Sequence, residues 1–562
     1  MKFSQMPYTR PDFVSLKNVC AVAVETIKNA PDAKSAADAF RSCEKELGTF
    51  STLAAIARIR FTIDTRDEFY NAEKTFLDEQ YPLVNEALQA VYQALLDSPH
   101  REGLVSELGD LFFLDLEISV RSFKPELIPL MQEENKLESE YQQLYSRATV
   151  EWDGETIPLP MLGMYKQSPD RAIRKMAYEK EGGFFDAHRE ELDSIFGKLV
   201  KVRNAQARML GHDNYLQLGY DRLGRNCYGY DELKAFRKQI AEDLVPVVTM
   251  MKEDQKKRIG VDEIHMYDDG FLFPDGNATP FGTAEEILAA GKQMYDSMHA
   301  ETAEFIDFMY ENELLDVLSK EGKAPGGYCS TIIGYKSPFI FSNFNGTSDD
   351  VDVLTHEAGH AFAAYRAFKN NLPSYVASPT MEACEVHSMS MEFLTQDYHH
   401  LFFGDATAKY EYGHAADSLS FIPYGCMVDE FQHIMYENEE LTPDERNDVW
   451  MSLEKKYRPH LHLDDTPFYC RGSGWQFKLH IYLHPLYYID YCMAQAVAFQ
   501  FWMLSLKDPK EAWERYLAFV DLGGTKTFED AIRTSGLRLP YDEGCMGDVA
   551  KDIAAWLTEN KL

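Results

Sequence analysis

The residues best suited to chemistry in this sequence are His356-Glu357-Ala358-Gly359-His360. On a helix the two histidines stand one turn apart on the same face, where both can turn an imidazole nitrogen toward a single Zn2+. Glu357 lies about 100° further round, off the ligand axis but close enough to take a proton from a water that such a metal activates. A five-residue pattern of this kind arises by chance in roughly a few of every hundred chains of this composition, so its surroundings decide its weight. A buried helix whose histidines bond to backbone carbonyls would account for one lone His. Here three polar groups fall among Val353, Leu354, Ala358, Ala361, Phe362 and Ala364, where burying them without a metal or partners would cost kilocalories each.

A hydrolytic zinc needs a third protein ligand and one open position. The next segment offers Glu382, Glu385 and Glu392. Ser378 at the N-cap and Pro379 at N1 predict a second helix there, on which Glu385 and Glu392 share a face. The first helix is predicted from Val351 to Phe368: Thr347-Ser348-Asp349-Asp350 fits a capping box, and Asn370, Asn371 and Pro373 end the run.

Glu385-Val-His-Ser388-Met-Ser-Met-Glu392, beginning 29 residues after His356, resembles the E-x-x-S-x-x-x-E motif of the zinc oligopeptidases of the thimet oligopeptidase and oligoendopeptidase F type. The resemblance implies that His356, His360 and Glu385 bind one Zn2+ per chain, with Glu357 as general base. It also implies a large, two-lobed, mostly helical metallopeptidase with a deep substrate channel, cleaving short peptides. Glu392 then reads as the group that accepts from a ligand histidine and fixes its tautomer, and Glu382 as surface charge. His387 stands where related sequences often carry a small residue or Pro, and its position puts it on another face of the helix.

A second cluster lies further along, where His480, Tyr482, His484, Tyr487, Tyr488 and Tyr491 fall within twelve positions, after Gly472 and Gly474. The glycine pair permits hinge motion. Hydrolysis of a peptide turns the carbonyl oxygen into an anion, and a phenol or imidazolium donor placed there stabilises the transition state more than the substrate. By the family's pattern of a His followed by two Tyr three residues apart, the donors would be His480, Tyr488 and Tyr491. The spacing is one residue shorter than in the thimet-type pattern, which keeps His484 and Tyr487 open as substrate-binding alternatives. Pro338 to Asn345 reads as a short strand, and it resembles the edge strand on which zinc peptidases hold an extended peptide. Phe341, Ser342 and Asn343 are its candidate substrate residues, with ordinary sheet core as the other reading.

These residues sit in a chain of 562, with 56 Lys+Arg against 91 Asp+Glu, a net charge of −35 and 45% hydrophobic residues. That composition describes a folded globular protein, not a disordered or membrane-embedded one. The acidity makes nucleic acid and anionic membranes poor partners, and short peptides suitable ones. Nine scattered cysteines without a C-x-x-C pair, and no apolar leader after Met1, point to reduced thiols and a cytoplasmic location. Amphipathic helices are predicted over Ala33 to Leu47, Glu68 to Leu96 and Glu190 to Leu210, and a β-hairpin turning at Asp153-Gly154 over Thr149 to Ile157. The fold class is therefore mostly α, with a small β element beside the histidine helix. The expected division is an N-terminal helical region, 1–200, and a zinc-peptidase region, 201–562, with lobes free to interleave. Two rival readings are a zinc exopeptidase, of carboxypeptidase or dipeptidyl carboxypeptidase type, and a non-catalytic peptide-binding protein. Glu357 argues against the latter, since binding alone needs no general base.

Overall fold

The computed structural model describes residues 1–562 apart from the side chain at position 82. Helices fill most of the chain, and polar caps start them. Asp32 accepts from the Ser35 N–H at the head of Ala33–Ile63, and Asp67 from the Phe69 and Tyr70 N–H groups at the head of Glu68–Leu96. The first of these helices runs sixteen residues past its predicted end at Leu47. It tolerates Gly48, Thr49 and Ser51 because its apolar face continues through Phe50, Ala54 and Ala57, all buried. Thr149–Trp152 and Glu155–Pro158 form the expected antiparallel hairpin, with Val150 opposite Ile157. Asp153 (φ 49°) and Gly154 (φ 84°) supply its two left-handed turn residues.

The chain divides into two compact units, each assembled from three segments. One comprises Met1–Arg121, Thr279–Thr407 and Val497–Leu537. Its helical core packs Cys20, Ile27, Phe40, Val91, Leu95 and Phe112 with less than a tenth of each exposed. It also holds a three-stranded sheet in which Ser337–Phe344 is central, parallel to Leu315–Leu318 and antiparallel to Tyr328–Ile332. The other unit comprises Ser122–Ala278, Ala408–Ala496 and Arg538–Leu562. Its helices Ile128–Ser146 and Arg189–Met209 pack together around a buried charge network. There Arg203, wholly buried, donates to Glu134 (2.6 Å), Glu138 (2.9 Å) and the Tyr482 carbonyl (2.6 Å). Among the described residues no helix is long and apolar enough to cross a membrane.

Candidate active site

The histidine helix spans Ser348–Lys369 and follows directly on the central strand of the sheet. The predicted capping box does not form, since Thr347 makes no side-chain cap bond. Asp350, in the first turn, instead reaches back to accept from the Asn345 N–H (3.0 Å) and the Gly346 N–H (2.6 Å), while Asn345 accepts from Thr347. The acid thus ties the end of the strand to the start of the helix. The second helix starts at Met381, with Thr380 as its N-cap, and not at Pro379 as predicted. The chain ahead of it is held in a non-helical course by a later turn: Gly524 N–H donates to the Val376 carbonyl at 2.9 Å. A β-carbon on Gly524 would fall 2.4 Å from the Ser378 carbonyl oxygen.

The two helices meet backbone to backbone at Gly359. A β-carbon there would lie 2.6 Å from Ser388 Cα and 2.7 Å from the His387 carbonyl oxygen, so glycine is required for close approach. That approach brings Glu385 Oε2 to 3.4 Å from His356 Nε2 and 3.5 Å from His360 Nε2. The imidazole planes stand at 83° to each other. A tetrahedral zinc with bonds of about 2.0–2.2 Å separates neighbouring ligand atoms by about 3.3–3.6 Å, which both Glu385 distances match, and all three atoms lie within 4.8 Å of one another. His356 Nδ1 lies 2.7 Å from Glu392 Oε1, leaving Nε2 for a metal. Ser388 Oγ donates to the Glu385 carbonyl (3.0 Å) and to Glu385 Oε2 (3.2 Å). Each defined letter of E-x-x-S-x-x-x-E thereby has a structural task.

Burial opposes charge on both Glu385 and His356, yet their mutual hydrogen bonds prevail. Glu385 is held far below the usual carboxylate range, and His356, with Glu392 also beside it, well above the usual imidazole range. Burial raises Glu357, against the pull of His356, His360 and the Cys329 backbone. A raised carboxylate is a better proton acceptor than an ordinary one. We expect Gly359→Ala to separate the two helices, lower stability by about 1–3 kcal/mol and weaken metal retention by ~10-fold or more. Thermal unfolding and a chelator titration would measure the two effects.

Two sequence expectations change here. The central strand has both hydrogen-bonding edges occupied, so it cannot pair with a peptide. Phe341 is fully buried and Ser342 nearly so, and Asn343 Nδ2 donates to the carbonyls of Ala324 and Gly326. These residues hold the sheet. The edge strand beside Glu357 is Tyr328–Ile332, whose run of Thr331 and Ile332 after Gly326-Gly327 was the available signal. Glu382 is buried, bonded to Thr380 Oγ1 at 2.8 Å, and is not surface charge. His387 stays outside the three-ligand group: its ring packs on Phe519, and burial brings it down to about 3, keeping it neutral.

The second cluster belongs to the other unit. His480 lies in the short helix Leu479–Leu483, and Tyr488 and Tyr491 open the helix Tyr488–Lys507. Ring centroids place His480 4.9 Å from Tyr488 and 6.1 Å from Tyr491, with Tyr487 4.9 Å from Tyr491. His484 is exposed at its rim, 5.9 Å from His480. Leu486, between them, has φ 65° and is held in that left-handed conformation. Its N–H donates to Gln432 Oε1 (3.0 Å), and Arg225 Nη2 donates to both its carbonyl and Asp490 Oδ1 at 2.6 Å. Sequence reasoning did not find Arg225, Asp490 or Gln432, since a buried clamp across hundreds of residues leaves no local pattern. Burial, then Lys478 and His484, bring His480 down to about 4, so it would donate as a neutral imidazole and not as the expected imidazolium. Burial pushes Tyr488 up, so its phenol keeps the proton. Gly472 and Gly474 are buried, and a β-carbon on Gly472 would meet the Asn447 carbonyl at 2.3 Å. The pair provides close packing where hinge freedom was expected.

A predominantly helical protein with a histidine pair, an intervening glutamate and a glutamate from a following helix is a metallopeptidase in its architecture. The family model for peptidase family M3 matches residues 164–548, and that for the peptidase M3 N-terminal domain matches residues 3–123. The chain belongs to peptidase family M3. Among solved structures it is similar to PZ peptidase A, bound to an inhibitor, at 44% identity, covering 99% of each chain with a TM-score of 0.93. It is similar also to an oligoendopeptidase F described as putative, from Bacillus anthracis str. Ames, at 41% identity, covering 100% of this chain and 99% of that one, TM-score 0.89. Over 393 residues it is 24% identical to oligopeptidase PepF of Bacillus subtilis (strain 168), matching 67% of this chain. The match spans 56% of that protein's length.

Proposed function

We propose that this protein is a zinc-dependent endopeptidase that hydrolyses internal bonds of short, unstructured peptides in the cytoplasm. The observation that carries the reading is the convergence of His356 Nε2, His360 Nε2 and Glu385 Oε2 beside the raised carboxylate of Glu357. These three residues would hold one Zn2+ per chain. When bound, the ion would polarise the scissile carbonyl and make water acidic near neutral pH. Glu357 takes the proton from the attacking water and returns it to the leaving amine. Glu392 holds His356 in the tautomer that leaves Nε2 free. His480, Tyr488 and Tyr491 donate to the oxygen as it becomes anionic. The Tyr488 phenol, which keeps its proton, and the partly buried His480 and Tyr491 support that role, as does the order of the motifs along the chain. His484 and Tyr487, at the same cluster, are left for contacts with the peptide. The edge strand Tyr328–Ile332, which pairs on one side only within its sheet, is better suited than the central strand to align a peptide backbone.

The test is the size of the products. Peptides of graded length, blocked at both ends, should yield internal cuts by mass spectrometry, and a chelator should abolish them. A folded protein of the same composition should survive. Stepwise loss of residues from unblocked ends alone would instead indicate an exopeptidase.

A further inference from the structure

Acidic side chains outnumber basic ones 91 to 56 in this chain, so a half-buried cation without a carboxylate is unusual. Lys478 is one. Among the described residues it has no ion-pair partner, and its one side-chain hydrogen bond runs from Nζ to the Tyr488 hydroxyl at 3.2 Å. The ammonium sits over the rings of Tyr488 (4.7 Å to the centroid), Tyr424 (5.0 Å) and Phe477 (5.6 Å). A methionine of the same length would fill this cradle without desolvating a charge. The charge therefore needs an account, and the hydrogen bond supplies one. An ammonium has only donors to give, so the Tyr488 oxygen accepts and the phenol's own proton is left free to point elsewhere.

We propose that Lys478 is a positioning residue for peptide hydrolysis, whose ammonium, bonded to the Tyr488 oxygen, makes that phenol a stronger donor to the developing oxyanion. This rests on the reading of Tyr488 as an oxyanion donor. Two consecutive hydrogen bonds, from ammonium to phenol and from phenol to oxyanion, polarise each other. A fixed positive charge one phenol away from the new negative charge also favours the transition state over the neutral substrate, and more so in a site with little water. Burial, with Arg458 adding, brings Lys478 down to about 8, so it remains mainly an ammonium at pH 7. Arg458 also stands over the Tyr424 ring (5.0 Å), but its guanidinium is bonded to Glu454, which leaves Lys478 as the uncompensated cation at Tyr488.

The experiment compares Lys478→Met and Lys478→Arg, each in the wild-type and the Tyr488→Phe background, in the zinc-loaded enzyme with a blocked quenched peptide. Melting temperature and zinc content are read alongside. Expected are a kcat lower by ~10-fold or more for Lys478→Met with KM within about twofold, partial recovery in Lys478→Arg, and little further loss when Lys478→Met is added to Tyr488→Phe. An equal loss in both backgrounds, or a loss carried by KM, would overturn the proposal while leaving Tyr488 in its role. Full kcat in Tyr488→Phe alone would remove Tyr488 from the oxyanion site, and the proposal with it. That outcome is read without any change at Lys478.

Discussion

Glu357→Gln should retain one zinc per chain and lose turnover by ~10²–10⁴-fold. Glutamine keeps the size of the side chain, and none of the three candidate ligand atoms belongs to residue 357. What disappears is the proton acceptor. Metal analysis should therefore be unchanged, KM should move little, and the loss should fall on kcat. The sign of the carboxylate's shift adds a further expectation. Burial raises Glu357, so the unprotonated form needed for catalysis is depleted at a higher pH than for an exposed glutamate, and activity should decline early on the acid side. Near-normal turnover in Glu357→Gln would exclude this residue from the reaction.

Glu385→Ala addresses the metal itself. Removing the carboxylate takes away one of three ligands and the acceptor of the Ser388 hydroxyl, and leaves the two imidazoles facing a cavity. Zinc content should fall from about one per chain to a small fraction, and activity with it. Unfolding gives an independent measure. A ligand that binds only the folded state raises its stability by RT ln(1 + [L]/Kd), about 2.7 kcal/mol at a hundredfold excess over Kd. Added zinc should therefore raise the melting temperature of the wild type and leave that of Glu385→Ala nearly unmoved. Full zinc and full activity in the variant would make the three-ligand assignment wrong.

What the sequence made legible follows how local each feature is. The histidine pair and E-x-x-S-x-x-x-E are read directly because one helix positions each, and helical spacing translates into geometry. The helix starts differ from the sequence expectation by two to three residues, since Asp350 and Gly524 impose their effects through the strand end and a distant turn. The substrate strand was misassigned for a related reason. Alternation along Pro338–Asn345 cannot reveal how many neighbours a strand has, and only the pairing with Leu315–Leu318 and Tyr328–Ile332 shows it to be central. Residues 1–320 carried no chemical signal, although the family match reaches back to residue 3. Most of their buried side chains serve packing, which constrains volume and polarity more than identity.

The clamp on Leu486 bears on the order in which the molecule assembles. His356 and Glu392 are 36 residues apart, and the metal-facing atoms come from two consecutive helices, so that half of the site closes a short loop. Arg225 and Leu486 are 261 residues apart, and Arg203 and Tyr482 are 279. Closing a longer loop costs more chain entropy, by about 0.6 kcal/mol for each doubling, and contacts of such separation form late. During refolding the three ligands can thus gather, and capture zinc, while the tyrosines are still unanchored. Zinc uptake should then precede the return of activity, and the interval between the two would time the docking of Arg225 and Arg203 against the segment they restrain.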